Sequence, residues 1–95
     1  MRFEWDDRKA VENLSKHGVS FGEATEVFYD PNALEDYDFE HSDDDVRFSI
    51  IGLSSRRLLY VIYAERVIDV VRIVSARRAD RAEQQIYERR RTINL

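Results

Sequence analysis

The side chains able to do chemistry here are two histidines, scattered carboxylates and a set of arginines placed among apolar residues; cysteine is absent. Without thiols there is no disulfide scaffold, no thiolate zinc site and no cysteine nucleophile. With Gly 3 the chain also lacks a P-loop and a dinucleotide fingerprint. His17 falls in Lys16-His17-Gly18, and an unaided imidazole can exchange a proton near neutral pH. The same position suits a helix cap, where the helix dipole favours an imidazolium by about 0.3 to 1 kcal/mol. His41 lies in Glu40-His41-Ser42-Asp43-Asp44-Asp45, a mixture of ligands that could hold a divalent metal. Its spacing matches neither a calcium loop nor an H-E-x-x-H helix, so a solvated acidic loop is expected there.

Arg47, Arg66, Arg72 and Arg77 stand inside or at the ends of apolar runs. In Val70-Val71-Arg72-Ile73-Val74 a pleated strand puts Val70, Arg72 and Val74 on one face. A guanidinium so placed is either paired with a carboxylate, for which Glu65 is the expected partner, or open to an anion. The second reading makes an arginine-lined groove on a sheet, a place for nucleic acid. The charge distribution bears on that choice. Residues 1–50 carry a balance of -9 and residues 51–95 a balance of +5, giving the net -4. All ten basic residues of the second half are Arg, whose planar fork fits phosphate in bidentate fashion. A phosphate-rich ligand is therefore expected, although a general preference for Arg as surface cation would give the same count.

Ninety-five residues suffice for one domain, 1–95, and not for two. Arg2 to Trp5 alternates as a short strand. Asp6 or Asp7 then caps a helix to about His17, with Ala10, Val11 and Leu14 as its inner stripe and Gly18 as its stop. Ser20 and Glu23 form an S-x-x-E capping box for a second helix bearing Phe21, Ala24, Val27 and Phe28, which Asp30-Pro31 ends. Residues 32–45 read as an acidic loop with a short edge strand around Tyr37 to Phe39. Val46 to Leu53, Leu58 to Glu65 and Val67 to Ser75 read as an antiparallel meander, the last two joined by a tight Glu65-Arg66 corner. Ala79, Ala82, Ile86 and Ile93 trace a final helix. The expectation is an α+β fold in the order β-α-α-β-β-β-α, with a four-stranded, mostly antiparallel sheet and the two N-terminal helices on one face. The longest apolar run, Leu58 to Ala64, is too short to cross a bilayer. MRFEWDDRK lacks the apolar stretch of a secretory signal, so a reducing, cytoplasmic compartment is expected.

The runs FEWDDRKAVENLSKHGVSFGEATEVFYDP, HSDDDVRFSIIG and VVRIVSARRADRAEQQIYE resemble the BrnT family of toxins from bacterial type II toxin-antitoxin systems. The resemblance spans Phe3 to about Glu88, and it is carried most specifically by the Lys16–Phe21 and Arg72–Arg77 runs. It implies a fold similar to the RelE and ParE toxins, a ribonuclease that arrests growth by blocking translation, and no cofactor. It also implies a cognate antitoxin, BrnA-like, with a ribbon-helix-helix domain, and contact with operator DNA only through the toxin-antitoxin complex. Lys16, His17, Arg47, Glu65, Arg66, Arg72, Ser75, Arg77, Glu83 and Tyr87 fall on family-like positions.

RNA carries its own nucleophile, so such cleavage needs no metal. A base takes the 2′-hydroxyl proton, cations stabilise charge growing on the phosphoryl oxygens, and an acid protonates the leaving 5′-oxygen. Lys16 or His17 and Glu65 are the candidates for proton transfer, with Arg72 and Arg77 first for phosphate stabilisation and Arg47 and Arg66 next. Arg78, Arg81 and Tyr87 on or before the last helix are candidates for RNA contact. Two other classes fit the same residues. A non-catalytic RNA- or ribosome-binding module would need the arginines alone, and a metal-dependent nuclease would use the His41 loop.

Overall fold

Strand alternation, two N-caps and a left-handed glycine lay down most of the elements, and the computed structural model describes residues 1–38 and 46–93. In chain order they are β1 (Arg2–Glu4), α1 (Asp7–His17), α2 (Phe21–Thr25) running into a 3-10 turn (Glu26–Tyr29), β2 (Leu34–Tyr37), β3 (Arg47–Leu53), β4 (Leu58–Val67), β5 (Val70–Arg78) and α3 (Arg81–Ile93). The strands make one mixed sheet in the order β1-β5-β4-β3-β2. The β3-β4-β5 meander is present as the short connections require.

The sheet has five strands where four were expected. β2 lies at Leu34–Tyr37, earlier than the edge strand read at Tyr37 to Phe39, and pairs antiparallel with β3. Its exposed Glu35 and Asp36 hide the alternation, as charged edge strands do. At the other edge β1 pairs parallel to β5, Glu4 opposite Arg72. The corner also moves: β4 continues through Glu65 and Arg66, and the chain turns at Ile68-Asp69, with Asp69 at φ 68°. Asp is among the few residues that enter this left-handed region readily. The Met1 amino group pairs with its carboxylate at 3.1 Å.

Both N-terminal helices pack on one face of the sheet. There Phe21, Ala24 and Val27 meet Ile50, Leu59, Val61, Tyr63, Val71 and Ile73. Asp6 caps α1 by accepting from the Arg8 and Lys9 backbone N–H groups at 2.9 and 3.1 Å, and Gly18 ends it at φ 68°. Of the expected inner stripe of α1, however, only Ala10 packs against the core, and Val11 and Leu14 do not. Val11 is 70% exposed and Leu14 52%, while Asn13 is buried. The reason lies at the sheet edge. β1 covers β5 only as far as Arg72, which leaves the Ala76 N–H and C=O pointing outward with no strand beside them. The Asn13 amide takes that place, donating to Ala76 O at 2.8 Å and to Val19 O at 2.9 Å and accepting from Ala76 N at 3.1 Å.

Ser20 caps α2 by accepting from Glu23 N at 3.0 Å, but the reciprocal half of the capping box is missing. The Glu23 carboxylate accepts instead from Arg57 Nε at 3.0 Å and Arg57 NH2 at 2.9 Å, and from Ser54 Oγ at 2.8 Å. Of the stripe expected along the last segment Ala79 is buried, but on α3 Ile86 and Ile93 are exposed and the buried anchor is Tyr87, whose hydroxyl donates to Asp30 at 2.6 Å.

Candidate functional site

The arginines lie on the face of the sheet away from the α2 core, and α1, held along the β5 edge by Asn13, borders that face. Register across β3, β4 and β5 sets them in rows: Arg47, Ala64 and Arg72 in one, Ser49, Ile62 and Ser75 in the next, and Ile51, Tyr60 and Arg77 in the third. Between Ile62 and Tyr63 the β4-β5 register shifts by one residue. That bulge turns both Val74 and Ser75 toward the open face, where strict alternation would hide one of them. It also keeps Arg77 on the same face as Arg72, although the two are an odd number of residues apart.

Three adjoining cavities follow. The largest, about 370 Å³, is lined by His17, Arg47, Tyr60, Ser75 and Arg77 among others. Beside it one of about 220 Å³ runs along α1 past Lys9, Asn13, Lys16 and His17. The third, about 160 Å³, gathers Asp6, Lys9, Arg47, Arg66 and Arg72. All three share Val74 as floor, so they form one groove across β5 from Arg77 to Arg66.

His17 reaches this groove because its helix end is held from two sides. Asn13, one turn earlier, ties α1 to the β5 edge. Arg57 NH2 donates to Gly18 O at 2.8 Å, fixing the carbonyl just after the histidine. Arg57 is in turn clamped by Glu23, whose carboxyl is held below its usual range by the hydrogen bonds from Arg57. Burial works against that shift without cancelling it, and the guanidinium is raised correspondingly.

Arg77 is held in place from two sides. Its fork meets Glu83 at 2.8 and 2.7 Å, and its guanidinium carbon lies 4.3 Å from the Tyr60 ring centroid. The bidentate pair with Glu83 raises its pKa further above the ordinary arginine value, so it is a fixed positive charge. Glu83 also accepts from Asp80 N at 2.8 Å at the start of α3, which sets the carboxylate in place. Arg72 is held more loosely, by one contact of 3.1 Å to Glu4 rather than to the expected Glu65. That pairing arises because parallel β1 sets Glu4 directly opposite Arg72.

Of the residues singled out from sequence, Lys16, His17, Arg47, Arg66, Arg72 and Arg77 line the groove. Glu65 does not. It alternates with Ala64 and Arg66, which face the groove, and its charge acts on Tyr63 on the helix side of the sheet. Arg78 and Arg81 are exposed beyond the end of the groove. Tyr87 is 1% exposed, so its ring packs and its hydroxyl serves Asp30 rather than meeting a ligand. His41 lies outside the described residues, and among those described no three His, Asp or Glu side chains gather as a metal site. Among them, too, no helix is long and apolar enough to cross a membrane. Sequence reasoning missed Asn13, Arg57 and Tyr60. Only Tyr60 left a signal, since it occupies the same alternating positions of its strand as Ile62 and Ala64.

The family model described as "Ribonuclease toxin, BrnT, of type II toxin-antitoxin system" matches residues 5–83. No curated protein matches the chain. Among solved structures, the 1.1 Å crystal structure of the Brucella abortus ribonuclease toxin BrnT superimposes with a TM-score of 0.66. The match covers 85% of this chain and 99% of that one at 23% identity, a likeness of fold.

Proposed function

The chain belongs to the BrnT family of ribonuclease toxins of type II toxin-antitoxin systems, and on that premise we propose that its arginine groove cleaves RNA without a metal ion. The observation that carries this reading is the convergence of His17, Arg47 and Arg77 on one cavity from three different elements. A phosphodiester seated there would lie between two guanidinium groups, with an imidazole at its edge. His17 takes the proton of the 2′-hydroxyl, which attacks the adjacent phosphorus; the P–O5′ bond breaks and the leaving 5′-oxygen takes a proton from water. Charge growing on the non-bridging oxygens falls to Arg77 and Arg47. Because Arg77 is already pinned against Tyr60 by Glu83, it loses little further freedom when it engages phosphate.

An antitoxin partner comes with the family. In our reading it carries a ribbon-helix-helix domain and covers the side of the groove near Arg72, Arg77 and Arg81, and the complex alone contacts operator DNA. Released in the cytoplasm, the toxin blocks translation through RNA cleavage, on a fold akin to RelE and ParE.

The test is cleavage of a single-stranded RNA by purified protein in EDTA. The expected product ends in a 2′,3′-cyclic phosphate, and a 2′-deoxy substitution at the cleaved position abolishes the reaction. His17→Gln should lower kcat by about 10²- to 10⁴-fold, and Arg77→Met by about 10²- to 10³-fold. Loss of activity in EDTA, restored by a divalent ion, would refute the metal-free reaction. Tight RNA binding with no product would turn the assignment to a binding module, which the absence of Glu65 from the groove favours.

A further inference from the structure

The ribonuclease reading leaves the β2 side of the open face without a task. Register aligns two rows of side chains across that face: Leu34, Ile51, Tyr60 and Arg77 in one, and Asp36, Ser49, Ile62 and Ser75 in the next. Above the β2 and β3 ends of both rows lies a cavity of about 360 Å³, bounded by Glu83 and Ile86 of α3. That volume falls in the range of small-molecule pockets. Tyr60 lines both this cavity and the one that holds His17 and Arg77, so the two meet at its ring. Ile51 and Leu34 give the cavity an apolar floor and edge, and Ile86, left 50% exposed because Tyr87 is what docks α3, faces it. Its polar corner is Ser49 and Asp36, directly opposite each other on β3 and β2, with Cβ atoms about 5 Å apart. Ser49 is only 8% exposed, yet among the described residues its hydroxyl has no hydrogen-bond partner. Buried hydroxyls are normally bonded within the fold, whereas this one opens on the cavity. Asp36 accepts from Tyr37 N at 2.8 Å through one oxygen, and a carboxylate has acceptor positions beyond that one. The neighbouring carboxylates are committed: Glu35 accepts from the Tyr63 hydroxyl on the helix side of the sheet, and Glu83 holds Arg77.

We infer that this cavity is a nucleobase pocket, which selects guanine beside the phosphate seated at Arg77. The inference rests on the ribonuclease reading for the identity of the polymer and deepens it by naming a base. Laid across the strands, a nucleotide with its phosphate at Arg77 passes its sugar over Tyr60 and brings its base onto Ile51, two strand spacings or about 10 Å away. The faces of the base then meet Ile51 and Ile86, and its edge meets Ser49 and Asp36. Unstacked bases of single-stranded RNA are read in this manner, with their faces covered and their Watson–Crick edge hydrogen-bonded. That edge of guanine presents the O6 acceptor followed by the N1–H and N2–H donors. A hydroxyl beside a carboxylate matches the order: Ser49 donates to O6, and Asp36 accepts from the two N–H groups. Adenine and cytosine set their amino group next to a bare ring nitrogen, and uracil sets its one N–H between two carbonyls. A carboxylate only accepts, so it is repelled by each of those neighbours. No cation of the groove other than Arg77 is needed for the choice of base.

The probes are the four nucleoside 3′-monophosphates, titrated by NMR, and an unstructured RNA whose cleavage products are mapped. Guanosine 3′-monophosphate should bind about 10-fold more tightly than the other three and shift the signals of Ser49, Ile51 and Ile86 together with those of Tyr60. Asp36→Asn, on an exposed edge strand, should weaken it about 10-fold and erase the preference, while inorganic phosphate binds as it does to the parent. Ser49→Ala should weaken it about 5-fold at an unchanged melting temperature, because the fold loses no bond. A hydroxyl with a merely structural role would move the melting temperature and leave the preference alone. Four nucleotides that bind alike, or a guanine preference that survives both variants, would overturn the pocket. So would cleavage that falls equally beside all four bases, which leaves the nuclease standing. Guanine selectivity that depends on Asp36 and Ser49, with no cleavage of RNA, would support the pocket while removing the nuclease reading.

Discussion

Replacing Asn13 by Ala should cost this protein a large share of its stability, although Asn13 is a polar residue in a helix. Its amide makes three hydrogen bonds, two to Ala76 and one to Val19, both of which are fully buried. Truncation leaves one N–H and two carbonyls without partners. Each unsatisfied buried group costs about 1–3 kcal/mol, so three could reach 9; water entering the vacated space at the sheet edge should hold the loss to about 3–5 kcal/mol. A chain of this size is stable by about 5–14 kcal/mol in all. The melting temperature should then fall by roughly 12–40 °C, at about 4–8 °C per kcal/mol. Urea denaturation followed by circular dichroism reads the loss directly. Asn13→Leu sharpens the test: a helix read only for its apolar stripe would accept Leu, whereas the open edge of β5 makes it as harmful as Ala. A loss below about 1 kcal/mol in both variants, at unchanged denaturant slope, would refute the argument that Asn13 stands in for a missing strand.

Tyr87→Phe removes a 2.6 Å bond to the Asp30 carboxylate and should cost about 1.5–3 kcal/mol in the same assay; no change would mean that water replaces the hydroxyl. Gly52→Ala should cost about 1–3 kcal/mol by overpacking, since a Cβ there would lie 3.0 Å from Val27 Cβ and 3.1 Å from its carbonyl oxygen. Glu23 is lowered chiefly by Arg57, and Asp30 is lowered overall because bonds from Tyr87, Leu53 and Asn32 outweigh the burial that pushes it up. Both carboxyls sit lower folded than unfolded, so their contribution is present above the ordinary carboxylate range and fades as pH falls through it. Stability measured from pH 7 to pH 3 should therefore drop in that range, and less steeply in Glu23→Gln; an identical slope in the variant would show that the Arg57 clamp does not carry the effect.

The meander was legible because Arg47–Leu53, Leu58–Val67 and Val70–Arg78 are β-rich runs joined by short connections, and the arginines were legible because they interrupt or end those apolar runs. Caps at Asp6, Ser20 and Gly18 were equally local and were readable. What stayed hidden depends on distant partners. Asn13 points inward because of a gap beside Ala76, 63 residues later. Arg72 pairs with Glu4 across 68 residues, through a three-residue parallel strand too short to announce its neighbour. Ile86 and Ile93 looked like a core stripe, yet Tyr87 is the residue that docks α3, because its hydroxyl has Asp30 to reach. The gathering of His17 with Arg77 belongs to this second group. Each was visible as a candidate, while the bulge at Val74-Ser75 that sets the floor between them was not.

The pairing of β1 and Asn13 with β5 also has a consequence for the protein as it is made. The N-terminal strand and the helix bearing His17 emerge first, but the backbone they dock against begins at Val70 and reaches Ala76. At about 5–20 residues per second, a ribosome needs several seconds to travel from one to the other. Until then α1 has no edge to lie on, and the wall of the groove that holds Lys16 and His17 cannot be placed. A nascent or truncated chain lacking β5 is therefore inert whatever its other elements do. Whatever reaction the groove carries therefore waits until β5 has been made and α1 has docked on it.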